Sequence, residues 1–362
     1  MVGHRESVAR SVGLACAVVA VGVFTGWSPV RNASPTPAAL DQLIGQRLVV
    51  AIRGTSPSSA LLARVRSGQL GGVILFGFNV RSATQVRALS RRLQAAARAG
   101  GQPPLLIMAD QEGGTTRRFA WAPPFESASE LGNLSPHAVR AEAIATAAAL
   151  GAVGVNVDLA PVVDVPRVED AFIARQARAF SSDPRRVAEF AAAFAGGLAE
   201  ERVSATAKHF PGLGYARIST DQAAVVVATS RARLDADLLP YRRLIESGIP
   251  LVMLANASYT ALDGKPAAWS PAVERLLRGT LGFAGVSITD ALDAVAPTHG
   301  RSVSSVAVLS AQAGVDLLLV TGSEAESDAV YARLLGAAEA GKLPRRGLER
   351  SYRRILALKQ SR

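Results

Sequence analysis

Beyond about residue 39 the chain alternates two hydrophobic patterns. Short runs that are mostly apolar predict strands over 48–52, 72–76, 105–110, 153–158, 203–208, 251–255, 286–290 and 315–320. Between and after them, apolar residues recur every three or four positions, and this spacing predicts helices over 82–99, 138–149, 184–198, 234–247, 303–313 and 324–340. Strands apolar on both faces are strands covered by helices, and strict strand–helix alternation implies a parallel sheet. Eight such units imply an α/β fold of the (β/α)8 TIM-barrel type in a single domain. A doubly wound open sheet is the alternative, because periodicity carries no information about closure.

The first 38 residues read differently. Charges at Arg5, Glu6 and Arg10 precede a stretch from Val12 to Gly26 that carries none. That is the length of an export-signal core rather than of the ~20 residues needed to span a bilayer. Residues 1–27 are therefore expected to be a signal peptide or membrane anchor, touching the membrane at least during export. Cys16 is read as unlipidated, since Gly13 stands where a lipidation motif carries leucine. Prolines punctuate 28–38, an expected linker, and the working domain spans 39–362.

Composition narrows the chemistry. Of 362 residues, 49% are hydrophobic and 19% charged, enough to build a large core. The net charge of +11 invites a nucleic-acid reading. Only four of the 40 basic residues are lysines, however, and the arginines are scattered over helical stretches without interleaved aromatics, so no nucleic-acid partner is expected. One cysteine and four histidines (His4, His137, His209, His299), none at a metal-ligand spacing, predict no metal and no cofactor.

Reactive residues cluster at predicted strand ends. Asp110, the Lys208–His209 pair and Asp290 close three of the strands, and Asn256 follows a fourth. In a barrel, such positions converge on one face. The blocks around them, Ile44-Gly45-Gln46, Gly72-Val73-Ile74-Leu75-Phe76, Asp110-Gln111-Glu112-Gly113-Gly114, Ala160-Pro161-Val162-Val163-Asp164-Val165, Arg178-Ala179-Phe180-Ser181-Ser182-Asp183-Pro184, Lys208-His209-Phe210-Pro211-Gly212 and Ile288-Thr289-Asp290-Ala291-Leu292, resemble glycoside hydrolase family 3. Within that family they are similar to the single-domain β-N-acetylglucosaminidases that trim cell-wall sugars.

The resemblance implies retaining hydrolysis of a terminal β-linked N-acetylglucosamine or a related sugar. It implies Asp290 as the nucleophile and Asp110, Arg118, Arg178, Lys208 and His209 as the sugar-holding set. Carboxylates accept hydrogen bonds from hydroxyls, and Arg and Lys donate to hydroxyl and acetamido oxygens. The implied partner is a carbohydrate and the implied state a monomer, exported or held outside the cell membrane.

One departure matters. The family's loop after the fifth strand carries an Asp–His pair as general acid/base; here its Asp falls on Ser219 and its His on Asp221. Three readings stay open: Asp221 itself acts as acid/base, His299 replaces the pair, or the barrel binds sugar with weakened turnover. Thr115 in place of the usual Arg, and Asn256 where relatives often carry His, are smaller departures.

Overall fold

The computed structural model describes residues 38–361. The expected signal or anchor over 1–27, Cys16 and all of the linker but its final residue lie outside them. All eight apolar runs form parallel strands: β1 Leu48–Ala51, β2 Gly72–Leu75, β3 Leu106–Ala109, β4 Val157–Asp158, β5 Thr206–Phe210, β6 Leu251–Leu254, β7 Val286–Thr289 and β8 Leu318–Val320. They make a five-stranded sheet in the order β8-β1-β2-β3-β4 and a three-stranded sheet in the order β7-β6-β5. The sheet edges meet at single parallel bridges, Val157 with Ser204 and Ile288 with Leu317.

Alternate strand positions sort into two cores, as the two-residue period of a strand requires. Val49, Ile74, Met108, Val157, Met253, Ile288 and Leu319, drawn from both sheets, join one buried cluster. Their neighbours Val50, Val73, Ile107, Val252 and Leu318 join a second, larger cluster that includes residues of the surrounding helices.

Helix starts follow local chemistry. Ser82, Ser135 and Asp183 accept hydrogen bonds from the amides of Gln85, Ala138 and Arg185, capping Ala83–Ala99, Pro136–Ala152 and Pro184–Glu200. The last two carry proline in their first turn.

Four segments depart from the periodicity. The strand predicted over 153–158 shrinks to two residues, because the amides of Val153 and Val155 both bond back to Leu150 and close the preceding helix. The helix predicted over 234–247 is two pieces, Arg231–Asp237 and Leu239–Glu246, with Pro240 in the first turn of the second. Helices Ser59–Arg66 and Arg345–Gln360 were not predicted.

At the N-terminal ends of β7 and β8, Asp316 is fully buried and takes hydrogen bonds from Arg278, Arg354 and the Ser287 amide. Arg47 caps the Val315 and Asp316 carbonyls there, and burial lowers its pKa to about 10. The C-terminal ends of the strands carry a different polar centre. No helix among the described residues is long and apolar enough to cross a membrane.

Candidate active site

Asp110 follows directly on β3, and β3 continues into the short strand Gln111–Gly113. The two-residue period sends Asp110 and Glu112 to the same side. Between them sits Lys208 of β5, its Nζ 2.7 Å from Asp110 Oδ1 and 2.6 Å from Glu112 Oε1. Arg178 clasps the Glu112 carboxylate with two nitrogens at 2.7 and 2.8 Å, and Arg118 donates to Asp110 Oδ2 at 3.1 Å.

Gln111 fixes the loop that returns Arg118. Its Oε1 accepts the amides of Arg118 and Phe119, and its Nε2 donates to the carbonyls of Phe119, Ala122 and Pro123. Gly113 is needed here: its φ is +100°, and a Cβ would lie 2.0 Å from the Glu126 carbonyl oxygen.

Burial alone would raise the pKa of both carboxyls. The Lys208 and Arg118 charges outweigh it at Asp110, and those of Arg178 and Lys208 outweigh it at Glu112, so both are held below the usual range. Conversely, burial pulls Lys208 and Arg178 down and the carboxylates more than restore them. Asp158 lies beyond this group, and burial pushes its carboxyl well up. One of its oxygens accepts the Gln111 amide at 3.0 Å.

His209 belongs to a second arrangement. Its Nδ1 lies 2.8 Å from Asp164 Oδ2, while Asp164 Oδ1 accepts the amides of His209 and Leu213. The buried Asp164 thus fixes both the imidazole and the start of the loop after β5. The Lys208–His209 peptide bond is cis.

Asp290 leaves the end of β7. Its amide donates to the Leu254 carbonyl at 2.9 Å and its Oδ1 accepts the Ala291 amide at 2.8 Å. Burial raises its pKa, the nearby His209 opposes the rise, and the Asp221 charge adds to it. Asn256 donates to the Ala291 carbonyl at 2.8 Å and so holds the backbone beside Asp290.

These groups share one cavity of about 250 Å3. Asp110, Arg118, Arg178, Lys208, His209, Asp221 and Asp290 all line it. Asp221 enters from the loop after β5, with its amide 3.2 Å from Ser219 Oγ. The backbone of that loop pairs with the segment beyond β7, the Ala296 amide donating to the Thr220 carbonyl at 3.0 Å. His299 does not line the cavity: it is exposed, edge-on to Trp269 at 6.4 Å.

Sequence reasoning did not single out Glu112, Asp158 or Asp164. The first and last stand inside quoted blocks, and the spacing of Glu112 from Asp110 was a usable signal. Asp158, buried at the end of its strand, carried none. No group of three or more His, Cys, Asp or Glu among the described residues is arranged to hold a metal ion.

Residues 39–358 match the family described as Glycosyl hydrolase family 3 N terminal domain. The chain belongs to that family. It is a hydrolase of glycosidic bonds.

An uncharacterized secreted glycosyl hydrolase of Arthroderma benhamiae is 36% identical over 325 residues, covering 87% of this chain and 91% of the relative. Among solved structures, a family 3 β-N-acetylglucosaminidase from Paenibacillus sp. aligns with TM-score 0.84 and 32% identity over 90% of this chain. This chain spans 62% of that longer one. A β-N-acetylhexosaminidase from Beutenbergia cavernae aligns with TM-score 0.83 and 32% identity, covering 89% of this chain and 99% of the other.

Proposed function

We propose that this family 3 protein is an exported, retaining β-N-acetylhexosaminidase that removes terminal N-acetylglucosamine, or a related sugar, from glycans of the cell-wall type. Its two sheets are read as one (β/α)8 barrel. The bridges at both sheet edges and the inner cluster shared by the two sheets support this. Export is supported by the uncharged stretch within residues 1–27 and by the secreted Arthroderma relative.

The observation that carries the reading is that Asp290 and Asp221 line the same small cavity as a ladder of paired charges. A volume of about 250 Å3 is below the ~300–1,000 Å3 of drug-sized sites and suits one sugar ring. Asp110, Arg118, Arg178, Lys208 and His209 form its polar lining. Their pairings with one another and with Glu112 and Asp164 hold donors and acceptors in fixed directions before any sugar arrives, which lowers the cost of binding.

In the chemical step, an Asp290 oxygen attacks the anomeric carbon while the glycosidic C–O bond breaks, and the Asp221 carboxyl gives its proton to the departing oxygen. A covalent glycosyl–Asp290 ester results. Asp221, now a carboxylate, takes a proton from water as the water oxygen attacks the same carbon, and Asp290 leaves as carboxylate. Two inversions return the original configuration.

The test is hydrolysis of an aryl β-N-acetylglucosaminide followed by NMR of the first sugar formed. The β anomer is expected. The α anomer overturns the retaining mechanism, and sugar binding without turnover favours the weakened, sugar-binding barrel.

Asp221→Asn separates the acid role from a merely local one. Loss of an acid/base group costs on the order of 10² to 10⁴ in rate where the leaving group needs a proton. The variant is expected to lose that much on an alkyl or sugar glycoside and far less on a dinitrophenyl glycoside. Equal losses on both would remove Asp221 from acid catalysis.

A further inference from the structure

Among the described residues, seven large hydrophobic side chains are exposed. Each lies in a segment that follows a parallel strand and precedes a helix in the chain. Phe78 differs from the rest in being continuous with the cavity itself. It is 56% exposed, and its ring stacks on Phe76 at 5.5 Å with 18° between the planes. Phe76 lines the cavity, and the Arg118 guanidinium lies over its ring at 5.5 Å. A chain of contacts therefore runs outward from Asp110 through Arg118 and Phe76 to Phe78.

The backbone under Phe78 is firmly held. Asn79, fully buried, donates to the carbonyls of Ile52 and Gly54 at 2.8 and 2.6 Å and accepts the Phe76 amide at 2.8 Å. An exposed aromatic ring on a pinned turn gains nothing from burial in the free protein, yet it has lost the mobility that would otherwise oppose binding. It is preorganised for a flat, partly apolar partner.

We propose that Phe78 is the platform for the sugar on the leaving-group side of the scissile bond. The inference rests on the glycosidase reading above and adds what that reading leaves open, the chemistry of the aglycone. A β-linked hexopyranose with equatorial substituents presents axial C–H groups on each face, and such a face lies flat on an aromatic ring. The cavity holds one ring, so the next residue of the chain emerges at its rim, where Phe78 stands. The substrate class is then a β-linked oligosaccharide rather than a glycoside with a small leaving group.

The experiment compares Phe78→Ala and Phe78→Trp with the wild-type chain on two substrates. N,N′-diacetylchitobiose carries a sugar leaving group, and β-N-acetylglucosaminyl azide carries one too small to reach Phe78. Aromatic contacts of this kind correspond to about three- to tenfold in binding. Phe78→Ala is expected to lower kcat/KM on the disaccharide about three- to tenfold more than on the azide, and Phe78→Trp to restore it. Equal effects on both substrates, or none on the disaccharide, overturn the platform.

Calorimetry keeps the two readings apart. If the wild-type chain hydrolyses neither substrate, the catalytic reading fails, while the platform still requires the disaccharide to bind more tightly than N-acetylglucosamine and Phe78→Ala to erase that difference. A disaccharide that binds no more tightly than the monosaccharide overturns the platform whatever the turnover.

Discussion

Asp290→Ala is expected to lower kcat on an aryl β-N-acetylglucosaminide by roughly 10⁴-fold or more while leaving sugar binding in place, because removal of a nucleophile removes the covalent route and not merely one contact. The backbone there is set by the hydrogen bonds from the Asp290 amide to Leu254 and from Asn256 to Ala291, neither of which uses the carboxylate. Burial raises the Asp290 pKa, with His209 opposing and Asp221 adding to the rise. The nucleophile must be ionised, so the acid limb of kcat/KM is expected above the ordinary aspartate value of 3.8. The linkage has the opposite sense for stability. A carboxyl whose folded pKa is raised favours the fold at low pH and loses that contribution as pH rises through the folded value. At neutral pH the ionised Asp290 is a cost to the fold, and the alanine variant is expected to melt no lower than the wild type. A variant that melts far lower would mean that lost activity reports unfolding. Activity equal to wild type would exclude Asp290 as nucleophile.

The second large effect is on stability. Glu112→Ala leaves Lys208 and Arg178 buried against one another with Asp110 as their remaining acidic partner, and breaking a buried ion pair from one side costs about 3–5 kcal/mol. The Glu112 side chain is only 3% exposed, so solvent screening does little to soften this. A fall in Tm on the order of 10 °C is expected by calorimetry. Glu112→Gln, which keeps the shape and loses the charge, is expected to fall between the two. The pH dependence follows from the depressed pKa. Glu112 contributes its full stability above the ordinary value of 4.5 and loses it progressively as pH falls towards the folded value of about 2. The difference in Tm between wild type and Glu112→Ala should therefore shrink across that interval. A constant difference would assign the loss to packing instead of charge.

Much of this arrangement was legible in the amino-acid order. Each of the eight mostly apolar runs contains a strand, because such runs have little polar surface to give to water. Asp110, Lys208, His209 and Asp290 line one cavity, as their positions at strand ends predicted. What periodicity missed has physical causes. The helix Arg345–Gln360 buries only a narrow stripe through Leu348, Ile355 and Leu358, and its arginines swamp that stripe in any hydrophobic pattern. The run over 153–158 carries valine at alternate positions but spends its first amides on the preceding helix. Glu112 and Asp164 owe their importance to partners far along the chain, Arg178 and His209, and no local spacing announces a contact across 66 or 45 positions. His299 stands outside the cavity, since nearness in sequence does not fix direction in space. Nine residues beyond Asp290 in sequence, it turns outward to Trp269.

The pairing of Thr220 with Ala296 bears on how this chain could diverge from its relatives. Main-chain groups make that clasp, and main-chain groups are indifferent to which side chain they carry. The two carboxyl-bearing loops are thus sewn together by thread that mutation does not cut. Side chains at positions 219 and 221 can therefore change while the Thr220 carbonyl keeps the loop in its seat.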